Sequence, residues 1–303
     1  MSQTHPKARL KKANSKKPTA NSKIMKALIV EGGALRTVFS AGVLDAFLVN
    51  QFDPFDLYIG VSGGSMSMTY FLSKTYQATY EITKKIIADT EFMGLKNIFS
   101  EEGYINLAYL QEYADRSYPL DVPGLEKISR HKKIEIVATN IADGKPVYLW
   151  PTIQNWRDCL KASSTLPFLT KGYYWVNDLK LMDGGWADPI PARRAVELGA
   201  DQIVIIRSQP LSYRSDWHYF GVLGQFINRN NPAMKDLFAR EHIVYNEALD
   251  FLKEEHTEQI VQIAPPDYLK TTAYSATEEK LTIDYRTGLD MGLRFIQEYG
   301  GGF

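Results

Sequence analysis

The chain has 303 residues, 45% hydrophobic and 23% charged, which is apolar material for one large domain or a domain with an appendage. Lys and Arg total 35 and Asp and Glu total 35, so nothing in the net charge calls for nucleic acid as a partner. One cysteine, Cys159, excludes an internal disulfide and a CxxC zinc site, and it reads as a small buried hydrophobe.

Residues 1–24 are rich in Lys, Ser, Asn and Thr and are expected to form a flexible basic tail. They lack the apolar core of a secretory signal, which with the lone cysteine leads to a cytoplasmic expectation. No run of about 18 uncharged apolar residues follows, so peripheral contact is the one form of membrane association expected.

Ordered structure is expected to begin at "MKALIVEGG", a buried strand stopped by glycines, and "TVFSAGVLDAFLVN" then has helical spacing. The pattern repeats as the strand "DLYIGV", the turn "SGGS" and one long helical stretch from Met66 to Ile87. Further on, "KKIEIVATNIADGKPVYLW" predicts two strands around Asp143-Gly144, "WRDCLKASS" a helix, and "YYWVNDLKLMDGG" another strand pair. "PARRAVELGADQIVIIRS" predicts a helix closed by Gly199 and then a strand. Strands alternating with helices predict an α/β fold with a mostly parallel sheet over residues 25–210. Residues 211–303 are mainly helical, with one strand in "EQIVQIAPPDYL", and are expected to form a C-terminal extension. The apolar stretch Trp217 to Ile227 is expected to pack in the core rather than line an acyl groove or touch a bilayer.

Gly60-Val61-Ser62-Gly63-Gly64 matches G-x-S-x-G. A strand ending in this turn pushes the serine hydroxyl out at the sheet edge, where the N-terminus of the next helix favours developing negative charge. Ser62 is therefore the candidate nucleophile, while Ser65 and Ser67 read as packing or solvent residues. An attacking serine needs donors for an oxyanion, and the loop "EGGALRT", with Gly32, Gly33, Ala34 and Arg36, is the natural supplier at the same sheet edge. Arg36 either holds the loop's shape or adds positive charge. Neither nucleotide-binding glycine motif is present.

The base is less obvious. None of His5, His131, His218, His242 and His256 sits in a triad-like motif. Asp183 offers an alternative, because "LKLMDGG" places it at the end of an apolar strand beside bare backbone, and burial raises a carboxylate's basicity. An Asp-Gly turn explains the same letters equally well. Asp188, before Pro189, reads as a turn or helix-start residue.

"EGGALR", "GVSGG", "KASSTLPFL" and "DGGWADPIP", in that order over residues 25 to about 200, resemble the patatin-like phospholipase family. The C-terminal "YNEALDFLKEE" and "QIVQIAPPDYL" look like the tail of a bacterial subgroup. The resemblance implies a three-layer α/β sandwich and a histidine-free Ser–Asp dyad acting on acyl esters of lipids, with Ser62 as nucleophile and Asp183 as base. It also implies an oxyanion loop of the form G-G-G-x-R-G, in which this chain has Ala34 and Thr37 at two glycine positions. The "KASSTLPFL" segment is expected to have a structural role near the site. No calcium loop is present, and neither metal nor cofactor is expected. Two other readings stay open: a Ser-His-Asp esterase using His218 or His242, and a lipid-binding protein without turnover.

Overall fold

A computed structural model of the protein describes residues 24–94, 97, 102–216, 219–253 and 260–302. The basic tail, except Ile24, and His5, Trp217, His218 and His256 lie outside the described residues. In chain order the elements are β1 Lys26–Val30, α1 Thr37–Val49, β2 Leu57–Val61, α2 Gly63–Leu72, α3 Ala78–Ile87, α4 Leu107–Ser117 and α5 Val122–Ser129. There follow β3 Lys133–Asn140, β4 Pro146–Leu149, α6 Trp156–Ser163, β5 Tyr174–Val176, β6 Leu179–Asp183, α7 Ala192–Glu197 and β7 Gln202–Ile206. The C-terminal part comprises α8 Tyr219–Ile227, α9 Pro232–Phe251, β8 Ile260–Ile263 and α10 Glu278–Tyr299.

The strands form one sheet in the order β5-β6-β3-β2-β1-β7-β8, with β4 also on β3. The run β3-β2-β1-β7-β8 is parallel, while β4, β5 and β6 are antiparallel. Alternate residues of a strand face opposite sides of the sheet, and both sides are buried here. Leu28, Val30, Tyr58 and Ile136 pack with Phe39 and Phe47 of α1, Phe71 of α2, Trp156 of α6 and Phe295 of α10. Ala27, Ile29, Ile59 and Ile205 pack on the other side with Ala192 and Ala195 of α7 and Leu249 and Phe251 of α9. The result is a three-layer α/β sandwich with a mostly parallel sheet and a helical C-terminal region, which explains why the parallel strands read as continuous apolar runs.

Two details differ from the sequence expectations. The long helix expected from Met66 to Ile87 is two, α2 and α3, because Lys74 and Gln77 take positive φ values of 58° and 59°. Asp45 of α1 accepts the freed Gln77 N–H at 3.2 Å, a tertiary contact that no local pattern records. In the stretch ending at Ile227, Phe226 and Ile227 are 67% and 54% exposed, so its described apolar residues are not all core. Ser65, read as a packing or solvent residue, is a packing one: it is fully buried, and its hydroxyl donates to the Ser62 carbonyl at 2.5 Å.

Candidate active site

β1 and β2 are adjacent and parallel, so the loops that follow them meet at one sheet edge. β7 lies on the other side of β1, which makes this edge the point where the chain reverses its direction across the sheet.

Ser62 is the single residue between β2 and α2, at φ 53° and ψ −133°. A non-glycine residue at positive φ costs about 1–3 kcal/mol and persists where its surroundings hold it. Here Ser62 N–H donates to Ser163 Oγ at 2.8 Å, and the Ser163 hydroxyl donates to the Val137 carbonyl at 2.5 Å. The "KASS" segment thus clamps the turn from β3. The turn also brings backbones together: a Cβ on Gly60 would lie 2.5 Å from Ser65 Cα, and one on Gly64 would lie 2.5 Å from the Val30 and Glu31 carbonyl oxygens.

Asp183 ends β6 and is held in register with Ala138 of β3. Its N–H donates to the Thr165 carbonyl, and its carbonyl accepts from Thr139 Oγ1, both at 2.8 Å. The carboxylate is left with two donors. Oδ1 accepts from Gly185 N–H at 2.8 Å, and Oδ2 accepts from Ser62 Oγ at 2.5 Å. Burial raises the Asp183 carboxyl from 3.8 to about 6, against the lowering effect of both hydrogen bonds. Its carboxylate is accordingly a stronger base than an ordinary aspartate.

The glycine loop lies beside Ser62. Leu35 N–H donates to the Ala273 carbonyl at 3.2 Å and Arg36 N–H to the Gly33 carbonyl at 3.0 Å. The N–H groups of Gly32, Gly33 and Ala34 have no acceptor among the described residues. Ala34 sits at φ 51°, in the left-handed region, whereas Thr37 is helical at φ −66°. Of the two positions that depart from the family's glycines, only Ala34 carries backbone strain.

A buried network that sequence reasoning missed braces this loop. Glu31 accepts from Arg207 Nε at 2.9 Å, from Ser208 N–H at 2.7 Å and from the Tyr245 hydroxyl at 2.5 Å. Arg207 also donates to Gln262 of β8 at 2.7 Å, and Ser208 Oγ donates to the Gly32 carbonyl at 2.6 Å. The Arg207 and Glu31 side chains are 1% and 3% exposed, and a buried charge is expensive unless paired and hydrogen-bonded in this way. A signal existed: each is the first residue beyond an apolar strand, in "ALIVE" and "IVIIR".

Two cavities meet at Ser62. One, of about 230 Å³, is lined by all six sequence-predicted site residues, Gly32, Gly33, Ala34, Arg36, Ser62 and Asp183, and by the polar side chains of Gln209, Ser215 and Glu241 among others. The other, of about 90 Å³, is walled by apolar residues including Met66, Ile82, Ile86, Phe92 and Leu110. Ala34, Ser62, Leu166, Ala273 and Tyr274 border both. His131 is exposed in the turn before β3, and His242 of α9 lines neither cavity. Among the described residues, no imidazole bonds to Ser62 or Asp183.

Residues 28–196 match the family model described as patatin-like phospholipase. The chain belongs to the patatin-like phospholipase family. Membership supports a lipid-hydrolase function in general terms. Residues 231–301 match a second model, a domain of unknown function. The chain is 28% identical over 279 residues to the uncharacterized protein YjjU of Escherichia coli strain K12, covering 90% of this chain and 78% of that protein. Its backbone is also similar to VipD from Legionella pneumophila, with a TM-score of 0.47 at 11% identity, over 91% of this chain and 67% of that one. The type III effector protein ExoU aligns with a TM-score of 0.40 at 11% identity; the chain again aligns over 91% of its length, but spans only 53% of that protein. No helix among the described residues is long and apolar enough to cross a membrane.

Proposed function

We propose that this family member is a serine lipid acyl hydrolase working through a Ser62–Asp183 dyad and an acyl-enzyme. Ser62 Oγ attacks the ester carbonyl while its proton passes to Asp183 Oδ2. The oxyanion is held by the free N–H groups of the Gly32–Ala34 loop, with Arg36 nearby, each good donor being worth about 3 kcal/mol. Collapse breaks the ester bond, and the alcohol leaves with the proton from Asp183. Water then attacks the acyl-serine, giving its proton to Asp183, and the departing Ser62 oxygen recovers it. An ester suits a dyad with no imidazole, because an alkoxide leaving group needs less help from an acid than an amine does.

The observation that carries this reading is the 2.5 Å hydrogen bond from the strained Ser62 to a buried carboxylate of raised pKa. The two cavities support it too. The apolar one suits an acyl chain, and the polar one suits the rest of the lipid.

A fluorophosphonate probe tests the nucleophile. Labelling of the wild type at Ser62, its loss in Ser62→Ala, and turnover of phospholipids or p-nitrophenyl esters are expected together. A folded wild type that takes no label and cleaves no ester would leave a lipid-binding protein. Labelling lost on replacing His218 or His242 would point to a triad.

A further inference from the structure

The polar cavity holds two charged side chains that the chemistry at Ser62 does not pair. Glu241 projects from α9, and its Oε1 is shut off from solvent without a hydrogen-bond partner. The side chain makes no ion pair among the described residues. Leaving a buried carboxylate unpaired is costly, and burial alone pushes the Glu241 carboxyl from 4.5 up to about 7. Arg36, which lines the same cavity, has a buried Nε without a partner and no ion pair of its own. Both residues line the same cavity, and no ion pair joins them.

Four aromatic side chains, Trp186, Tyr213, Tyr245 and Tyr274, line the same cavity. Tyr213 and Tyr245 pack edge to face at 5.5 Å, so the wall is preformed. A carboxylate among aromatic rings is the chemistry that takes an ammonium group. A guanidinium is the chemistry that takes a phosphodiester. An ammonium linked through a phosphodiester to an ester supplies both partners at once.

We infer that this cavity is a head-group subsite for ammonium-bearing phospholipids, in which Glu241 takes the cation and Arg36 faces the phosphate. The inference rests on the acyl-hydrolase reading. It assigns the C-terminal region a part in substrate choice.

The test uses three dioleoyl phospholipids that differ only in head group: ethanolamine, choline and glycerol. The wild type should cleave one or both ammonium lipids about tenfold better in kcat/KM than the anionic glycerol lipid. Glu241→Gln, isosteric and uncharged, should bring that ratio to about one through KM. Glu241→Lys should turn it in favour of the glycerol lipid. The two ammonium arms separate a primary amine, gripped by hydrogen bonds to Glu241, from a quaternary one held against the rings. A second arm needs no turnover: calorimetry on folded Ser62→Ala protein with the glycerophospho derivatives of the same three alcohols. Tighter binding of the ethanolamine or choline compound, lost in Ser62→Ala/Glu241→Gln, supports the subsite even where no ester is cleaved. Equal binding of all three, or a preference unchanged in Glu241→Gln, overturns it. Failure of labelling and turnover alone counts against the hydrolase reading and leaves the binding arm to decide the subsite.

Discussion

Ser62 and Asp183 reach the cavity from strand ends, whereas Glu241 and Tyr245 reach it from the flank of a helix. A strand end inherits its position from the sheet. Asp183 is fixed by ladder pairing with Ala138 and by backbone bonds to Thr165 and Thr139, so its carboxylate has little freedom to miss Ser62. A helix flank inherits its position from packing, and the α9 residues depend on how that helix lies against α7 and α8. The two regions are therefore suited to different work. In the proposed mechanism the strand ends would hold the reacting atoms, and the helix flank would set what surrounds them. Variants that separate activity, stability and substrate choice test that division.

The largest expected effect belongs to Asp183. Asp183→Asn should lower ester hydrolysis by about 10⁴-fold, the scale of losing a triad member. In the wild type, kcat/KM should fall as pH drops through about 6, where the carboxylate takes up its proton. Stability should move the other way. The folded carboxyl has the raised value and the unfolded one lies near 3.8, so the folded state binds the proton more tightly between the two. Ionised Asp183 thus costs stability above about pH 6, and the cost disappears as pH falls toward 4. Asp183→Asn removes it, and should stabilise the protein by about 2–3 kcal/mol near pH 8. Thermal unfolding of both proteins from pH 4 to 8 checks this; an Asn variant that is inactive and also less stable at pH 8 would make Asp183 a structural residue.

Next in size is the brace. Arg207→Met would leave Glu31 buried and unpaired, costing about 3–5 kcal/mol in denaturant unfolding. Because Glu31 directly precedes the glycine loop, kcat should fall as well. Glu31→Gln combined with Arg207→Met should recover much of the stability, since no charge then remains buried. A single Arg207→Met variant as stable as the wild type would mean that the network does not hold the loop.

These differences also explain what was legible in the sequence. Glu31, Ser62 and Asp183 each close an apolar run and stand next to glycine, so the strand ends announce themselves. The alternation that gives a mostly parallel sheet is visible for the same reason. Glu241 has no such marker. It lies in a helix that also carries Glu247, and only the packing of α9 makes one half-buried in a cavity and the other exposed. The break between α2 and α3 depends on Asp45, some thirty residues upstream in sequence, and is hidden likewise. α4 received no assignment from the apolar pattern, although Asn106 was a readable cap, its side chain accepting the Tyr109 N–H at 2.9 Å.

The smallest effect is the sharpest test of the loop beside the strand ends. Both Ala34 and Thr37 stand where the family resemblance has glycine, yet their backbones differ. At φ 51°, Ala34 should gain from glycine: relief of left-handed strain, about 1–2 kcal/mol, exceeds the added entropy of the unfolded chain, and Ala34→Gly should stabilise by about 1 kcal/mol. Thr37 is helical, 4% exposed, and its hydroxyl donates to the Ala34 carbonyl at 2.7 Å. Thr37→Gly removes that bond and loosens the start of α1, and should destabilise by about 1–2 kcal/mol. Opposite signs at two positions three residues apart cannot come from glycine content alone. They require left-handed strain at Ala34 that the helical Thr37 does not share. Matched urea titrations of the two variants decide the matter, and a loss of stability in Ala34→Gly would remove the strain from the account of this loop.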